Sequence, residues 1–273
     1  MSWFEAVLLG IVQGLTEFLP VSSTAHVRIV SAFFGWSDPG AAFTAVTQLG
    51  TTAAVLVYFR DDVATIIVAW VRSLFQPEYR GSHDARMGWY VLLGTIPVGV
   101  LGFAFRHQIK DQARDLRIIA AAMIGVAVVL WVAERVGSRV KDLRRLDVRD
   151  GLVLGVAQAT ALVPGVSRSG ATISAGLLLG YTREAATRYS FLLSIPALLA
   201  SGLFEALDIG KDTSAAWGPT IVATLIAAVV GYAVIGWLLR YVATHTFVPF
   251  VVYRLVLGLA LVLLLATGTL AAR

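Results

Sequence analysis

Two short stretches carry side chains suited to chemistry at a phosphorus centre. In the first, Gln13-Gly-Leu-Thr-Glu17 sets two polar groups four residues apart, on one face of a helix, and Pro20-Val-Ser-Ser-Thr-Ala-His26 follows at once. Glu17 is expensive in an apolar surrounding without a partner, so it is expected to face a cavity or a counter-charge. Ser22, Ser23 and Thr24 precede a predicted helix. They are either ordinary N-caps or, at the positive end of a helix with free N–H groups, ligands of a phosphate. Ser23 and His26 lie three apart on that helix and can share a face, which would let the imidazole accept the hydroxyl proton or protonate a leaving oxygen. The second stretch, Pro164-Gly-Val-Ser-Arg-Ser-Gly-Ala-Thr172, repeats the design with a cation in place of the carboxylate. Ser167 and Ser169 flank Arg168, and Gly165 and Gly170 permit close backbone approach to phosphate oxygens. A salt bridge between Arg168 and Glu17 is the alternative, and both readings put the two side by side.

The elements that must position these residues lie in lipid. Of 273 residues 58% are hydrophobic and 14% charged, and the mean hydropathy is +0.78; soluble domains carry about 25% charge. The apolar runs are continuous rather than alternating, so spanning helices are expected and a transmembrane barrel is not. The net charge of +5 gathers in short segments between apolar runs, which fits lipid headgroups and topology signals and gives no reason to expect nucleic acid. Cysteine is absent, which excludes disulfides and thiolate metal sites. The N-terminus, with Glu5 and no basic lead-in, reads as mature protein.

Sliding the chain over itself by 145 residues lays Gly10-Ile-Val-Gln13 on Gly155-Val-Ala-Gln158 and Val21-Ser22-Ser23 on Val166-Ser167-Arg168, with Pro20 and Pro164 one residue out of step. An internal duplication follows, a common plan in membrane folds. The expected fold is all-α and polytopic, with two inverted-topology repeats, 1–140 and 151–273, joined by a basic loop at 141–150. Each repeat begins with a segment too short to span, paired with a second short helix as a re-entrant element, at about 3–36 and about 151–180. Three spans then follow in each: about 43–59, 89–105 and 118–136, and about 185–207, 217–241 and 247–270. Three crossings per repeat is odd, hence the inversion. The stretch 61–75 is expected to form a helix that lies near the interface or prolongs the next span, with Asp61 and Asp62 as its N-cap.

Arg135, Arg139, Lys141, Arg144, Arg145 and Arg149 make the inter-repeat loop the most basic segment and place it in the cytoplasm, although 106–117 carries four further basic residues on the opposite face. His83, His107 and His245 read as loop or span-end histidines. Arg183, Glu184 and Arg188 read as a charged helix start, and Thr47 and Gln48 as cavity-lining candidates.

The two motifs resemble those of the bacitracin-resistance undecaprenyl-diphosphate phosphatase family over the whole chain. That resemblance implies Glu17 for a divalent metal (Mg²⁺ or Ca²⁺) or for proton chemistry, Ser23 as nucleophile, His26 as its acid/base partner and Arg168 as diphosphate clamp. Ser167, Ser169, Ser22, Thr24, Gln13, Gly165 and Thr172 would complete the diphosphate site. It also implies a bacterial cytoplasmic-membrane protein, a site open to the extracytoplasmic side, a polyprenyl diphosphate substrate and a homodimer. The chain departs from the family's fullest pattern at Gln13, where many members have a second glutamate, and at Ala25, where many have glycine. With one carboxylate fewer, a dication would rely on water and substrate oxygens.

The reaction expected on this reading is phosphoric-anhydride hydrolysis, with Ser23 or a water activated by His26 attacking the terminal phosphorus. The rival is a transporter or flippase of a lipid phosphate, because broken helices meeting at mid-membrane are a transporter design. A Ser-x-x-His pair beside a glutamate exceeds what phosphate binding needs. A phosphatidic-acid-type phosphatase would need a Pro-Ser-Gly-His segment, which the chain lacks.

Overall fold

In an apolar solvent a run of Ala, Val, Leu and Ile has only its own backbone to hydrogen-bond with, and helices result. The computed structural model describes residues 1–105, 108, 115–207, 209 and 216–272. Among these residues there are eleven α-helices and no strand. In chain order they are α1 (Trp3–Thr16), α2 (Ser23–Phe33), α3 (Gly40–Tyr58), α4 (Arg60–Phe75), α5 (His83–Ala104), α6 (Leu116–Val136), α7 (Val148–Ala159), α8 (Arg168–Leu178), α9 (Arg183–Ala206), α10 (Trp217–Thr244) and α11 (Val248–Ala266). Six of them, α3, α5, α6, α9, α10 and α11, are long and apolar enough to cross a membrane. These match the six expected spans, and the chain fits a multi-pass membrane protein. Of the basic segment 106–117, only 108 and 115–117 are described, and His107 lies outside the described residues.

The distribution of polarity is that of a protein dissolved in lipid. Val229, Leu225, Leu259 and Leu263 face outward, while Gln13, Thr47, Thr51, Gln158, Ser169, Ser190 and Ser194 are buried. The interior is knit by Phe18, Val21, Leu130, Phe191, Ile235 and Phe247, contributed by both halves of the chain.

The four short helices form two matched pairs, α1 with α2 and α7 with α8. Each pair breaks at a serine in the left-handed region, Ser22 at φ 76° and Ser167 at φ 71°. Such a backbone costs a non-glycine residue about 1–3 kcal/mol. Each serine hydroxyl offsets part of this by capping the following helix, accepting from the Ala25 N–H at 3.4 Å and the Gly170 N–H at 3.0 Å. Packing exchanges between the halves: α1 lies on α10, and α7 on α5. The repeated glycines make those contacts close. A β-carbon at Gly10 would lie 2.6 Å from the Ala223 carbonyl oxygen, and one at Gly155 would collide with the Gly94 backbone.

The stretch 61–75 is helical, as expected, and is a helix of its own, α4, rather than a prolongation of the next span; it folds back on α5 through a turn at Pro77–Tyr79. Three other expectations are corrected. The N-cap of α4 is Phe59, with no side-chain cap bond. Asp61 and Asp62 sit instead in the first turn, where their charge favours the helix dipole. The basic loop ends earlier than 150, because Asp147 caps α7 through the Asp150 N–H. Arg183 and Arg188 are more than a charged face: Arg183 binds Glu134 of α6, and Arg188 binds Asp62 of α4 at 2.6 Å.

Candidate active site

Helix α1 ends at Thr16, and Glu17 caps it with its carboxylate 5% exposed. Four donors converge on that carboxylate. Arg168 Nη2 reaches Oε1 at 3.0 Å, while Oε2 accepts from Ser23 Oγ at 2.6 Å, Gln13 Nε2 at 2.8 Å and Gln48 Nε2 at 3.4 Å. Residues from α1, α2, α3 and the start of α8 thus meet on one acidic group. Arg168 also donates through Nη1 to the Ser190 carbonyl at 3.2 Å, while its buried Nε has no partner.

The carboxylate and guanidinium lie in the wall of a cavity of about 490 Å³. Ser22, Ser23, Thr24, Gln48 and Ser167 are among its polar lining. Helix α5 contributes Val98, Gly99, Gly102 and Phe103 with Thr95, and α9 contributes Ala197, Leu198, Ala200 and Phe204 with Ser201 and Glu205; each helix carries an internal proline, Pro97 and Pro196. A cavity that combines polar groups with apolar walls suits a charged headgroup with a long hydrocarbon tail.

Several expected residues support this site from behind. Ser169 donates to the Leu19 carbonyl at 3.0 Å, joining the second motif to the first. Thr172 bonds the Ser190 hydroxyl at 2.5 Å and the Arg168 carbonyl at 2.8 Å. Gln13 is fully buried and steadies Glu17. Thr47 is buried and bonded within its own helix, while Gln48 does face the cavity.

His26 does not partner Ser23 here. Its Nδ1 bonds the Ser22 carbonyl at 2.7 Å, and its Nε2 bonds the Tyr253 hydroxyl at 2.6 Å, the two rings stacking with centroids 5.5 Å apart. The hydroxyl of Ser23 points to Glu17 instead.

Arg254, in α11, escaped the sequence reading. Fully buried, it donates to the carbonyls of Pro20, Gly165 and Val166, and to those of Met123 and Ala122 on α6. It therefore ties both motif loops together through their backbone. A lone arginine in an apolar run was the available signal. His83 and His245 lie at helix ends, as read, away from the cavity.

The residues present do not by themselves suit a resident metal ion. Both Glu17 oxygens are taken by side chains, and among the described residues no cluster of three His, Cys, Asp or Glu side chains could hold one.

The family model described as Bacitracin resistance protein BacA matches residues 6–260. The chain belongs to the BacA family. Among its relatives, Undecaprenyl-diphosphatase 2 of Streptomyces avermitilis is 58% identical, covering 99% of this chain and 97% of its own. Undecaprenyl-diphosphatase of Nocardioides sp. is 55% identical over the full length of both. Undecaprenyl-diphosphatase of Thermobifida fusca is 53% identical over 99% of this chain and 92% of its own.

Proposed function

We propose that this BacA protein hydrolyses undecaprenyl diphosphate to undecaprenyl phosphate and inorganic phosphate in the bacterial cytoplasmic membrane. It thereby recycles the lipid carrier of cell-wall synthesis and confers bacitracin resistance. Family membership and full-length relatives named for this activity support the reading. The observation that carries the chemistry is the Ser23 hydroxyl, 2.6 Å from Glu17, in a cavity whose other polar wall is Arg168.

Ser23 Oγ attacks the terminal phosphorus while its proton passes to Glu17 Oε2. The anhydride P–O bond breaks, and its electron pair leaves with undecaprenyl phosphate. Arg168 moves from Glu17 to the phosphoryl oxygens and neutralises charge as it develops there. Water then attacks the phosphoserine and passes one proton to a phosphoryl oxygen, the P–Oγ bond breaks as Glu17 returns its proton to Ser23 Oγ, and inorganic phosphate departs as dihydrogen phosphate. His26 orients the Ser22 turn and does not relay the proton. A divalent cation, if the reaction uses one, would be held by diphosphate oxygens and water and would neutralise their charge.

The halves 1–140 and 151–273 are read as inverted repeats whose short helix pairs re-enter the membrane. The matched serine breaks and the exchanged packing of α1 on α10 and α7 on α5 support this. The cavity is assigned an extracytoplasmic opening, and the chain is assigned a homodimer. Phosphate release from C55 polyprenyl diphosphate by purified protein in detergent tests the activity. No release from folded protein that binds the substrate would favour transport of a lipid phosphate by the same site.

A further inference from the structure

Gln158, near the end of α7, forms part of the cavity wall beside the second motif. It is fully buried, and neither its amide nitrogen nor its amide oxygen has a hydrogen-bond partner. Leaving both ends of a buried carboxamide unpaired is costly, so such a group calls for an explanation. The duplication supplies one. Gln13 is its counterpart in the first half, and that amide's nitrogen donates to Glu17, four residues on, while its oxygen, like that of Gln158, has no partner. The position four residues beyond Gln158 is Leu162, which has no acceptor to offer.

We propose that Gln158 is a substrate-binding residue whose amide N–H takes an anionic phosphate oxygen in the place that Glu17 fills for Gln13, while its carbonyl accepts from a protonated phosphate oxygen or a hydrating water. Its three side-chain torsions let it turn toward the cavity, and turning breaks no hydrogen bond. Gln158 and Arg168 would then hold the diphosphate from the same half of the chain, leaving Glu17 free to serve Ser23. This rests on the phosphatase reading.

The test compares native protein with Gln158→Met and Gln158→Glu, in detergent, by two readouts. One is thermal protection by inorganic pyrophosphate; the other is KM for C55 polyprenyl diphosphate. Gln158→Met is expected to melt no lower than native without ligand, because it removes an unpaired buried amide, yet to need about ten- to hundredfold more pyrophosphate for equal protection, with KM raised alike. Gln158→Glu sets a carboxylate against the diphosphate and is expected to lose more than Gln158→Met; it also serves if the Met variant does not fold. Protection and KM within twofold of native would overturn the proposal, as would a lowered melting point with KM unchanged. Native protein that releases no phosphate would sink the phosphatase reading instead, and pyrophosphate protection would still report on Gln158.

Discussion

Replacing Glu17 by glutamine keeps volume and removes the acceptor on which four donors converge. In one orientation the new NH₂ faces Ser23, Gln13 and Gln48; in the other it faces the Arg168 guanidinium. Toward the guanidinium donor meets donor without relief, whereas toward Ser23, Gln13 and Gln48 the hydroxyl and the amide oxygens must turn to accept. Stranding a buried arginine by removing its carboxylate costs about 3–5 kcal/mol, and the Ser190 carbonyl bond softens that for Arg168. Fluorescence and size exclusion must therefore establish a folded variant first. Loss of a general base lowers kcat/KM by about 10²- to 10⁴-fold, and Ser23→Ala is expected to fall in the same range. If Ser23 and Glu17 act as one unit, the double variant loses no more than about tenfold beyond the worse single variant, because the second change removes a function already gone. Phosphate release with C55 polyprenyl diphosphate, followed over hours to reach the residual rates, reads the cycle. Losses that multiply for Ser23 with Glu17 would refute the Glu17–Ser23 assignment.

The remaining predictions concern the scaffold, the tail and the cation. Arg254→Met leaves the Pro20, Gly165 and Val166 carbonyls without their shared donor; a stability loss of about 1–3 kcal/mol for each carbonyl left unpaired, read as a lowered melting point in detergent, should accompany lost activity, with Arg254→Lys intermediate, and a native-like Met variant would contradict this. A β-carbon at Gly99 meets nothing within 4 Å, so Gly99→Leu should fold normally, raise KM for the C55 substrate about tenfold over that for a C15 diphosphate, and leave pyrophosphate protection unchanged; equal KM shifts for both tails would argue against the tail lying along α5 and α9. EDTA should stop turnover without moving the melting point, and the Mg²⁺ or Ca²⁺ needed to restore it should track the diphosphate concentration. Protein that retains one tightly bound dication through gel filtration would contradict the counter-ion role.

The spans were legible because an apolar run of span length has few alternatives to a helix, and the motif loops because glycine, proline and serine clusters interrupt those runs. The two matching short-helix pairs were legible from Gly10 over Gly155 and Gln13 over Gln158. The Glu17–Arg168 contact followed from charge alone, since neither side chain has a cheaper place in lipid. What stayed hidden depends on distant partners. Helical spacing puts His26 near Ser23, but Tyr253, 227 residues away, holds the imidazole instead. The α4 cap was misplaced because the chain turns at Phe59 without a side-chain cap, one residue ahead of Arg60. Arg183 and Arg188 found carboxylates on other helices, which no local pattern announces.

Arg254 grips only backbone carbonyls, so it is indifferent to which side chains the two motif loops carry. Gly165 is the exception, since its positive φ and the Ile119 carbonyl 2.6 Å from a β-carbon require glycine. Elsewhere in the loops a side chain can be altered without touching the guanidinium that spans them. That separates two properties that design usually has to tune together: what the loops hold, and how far apart they stand.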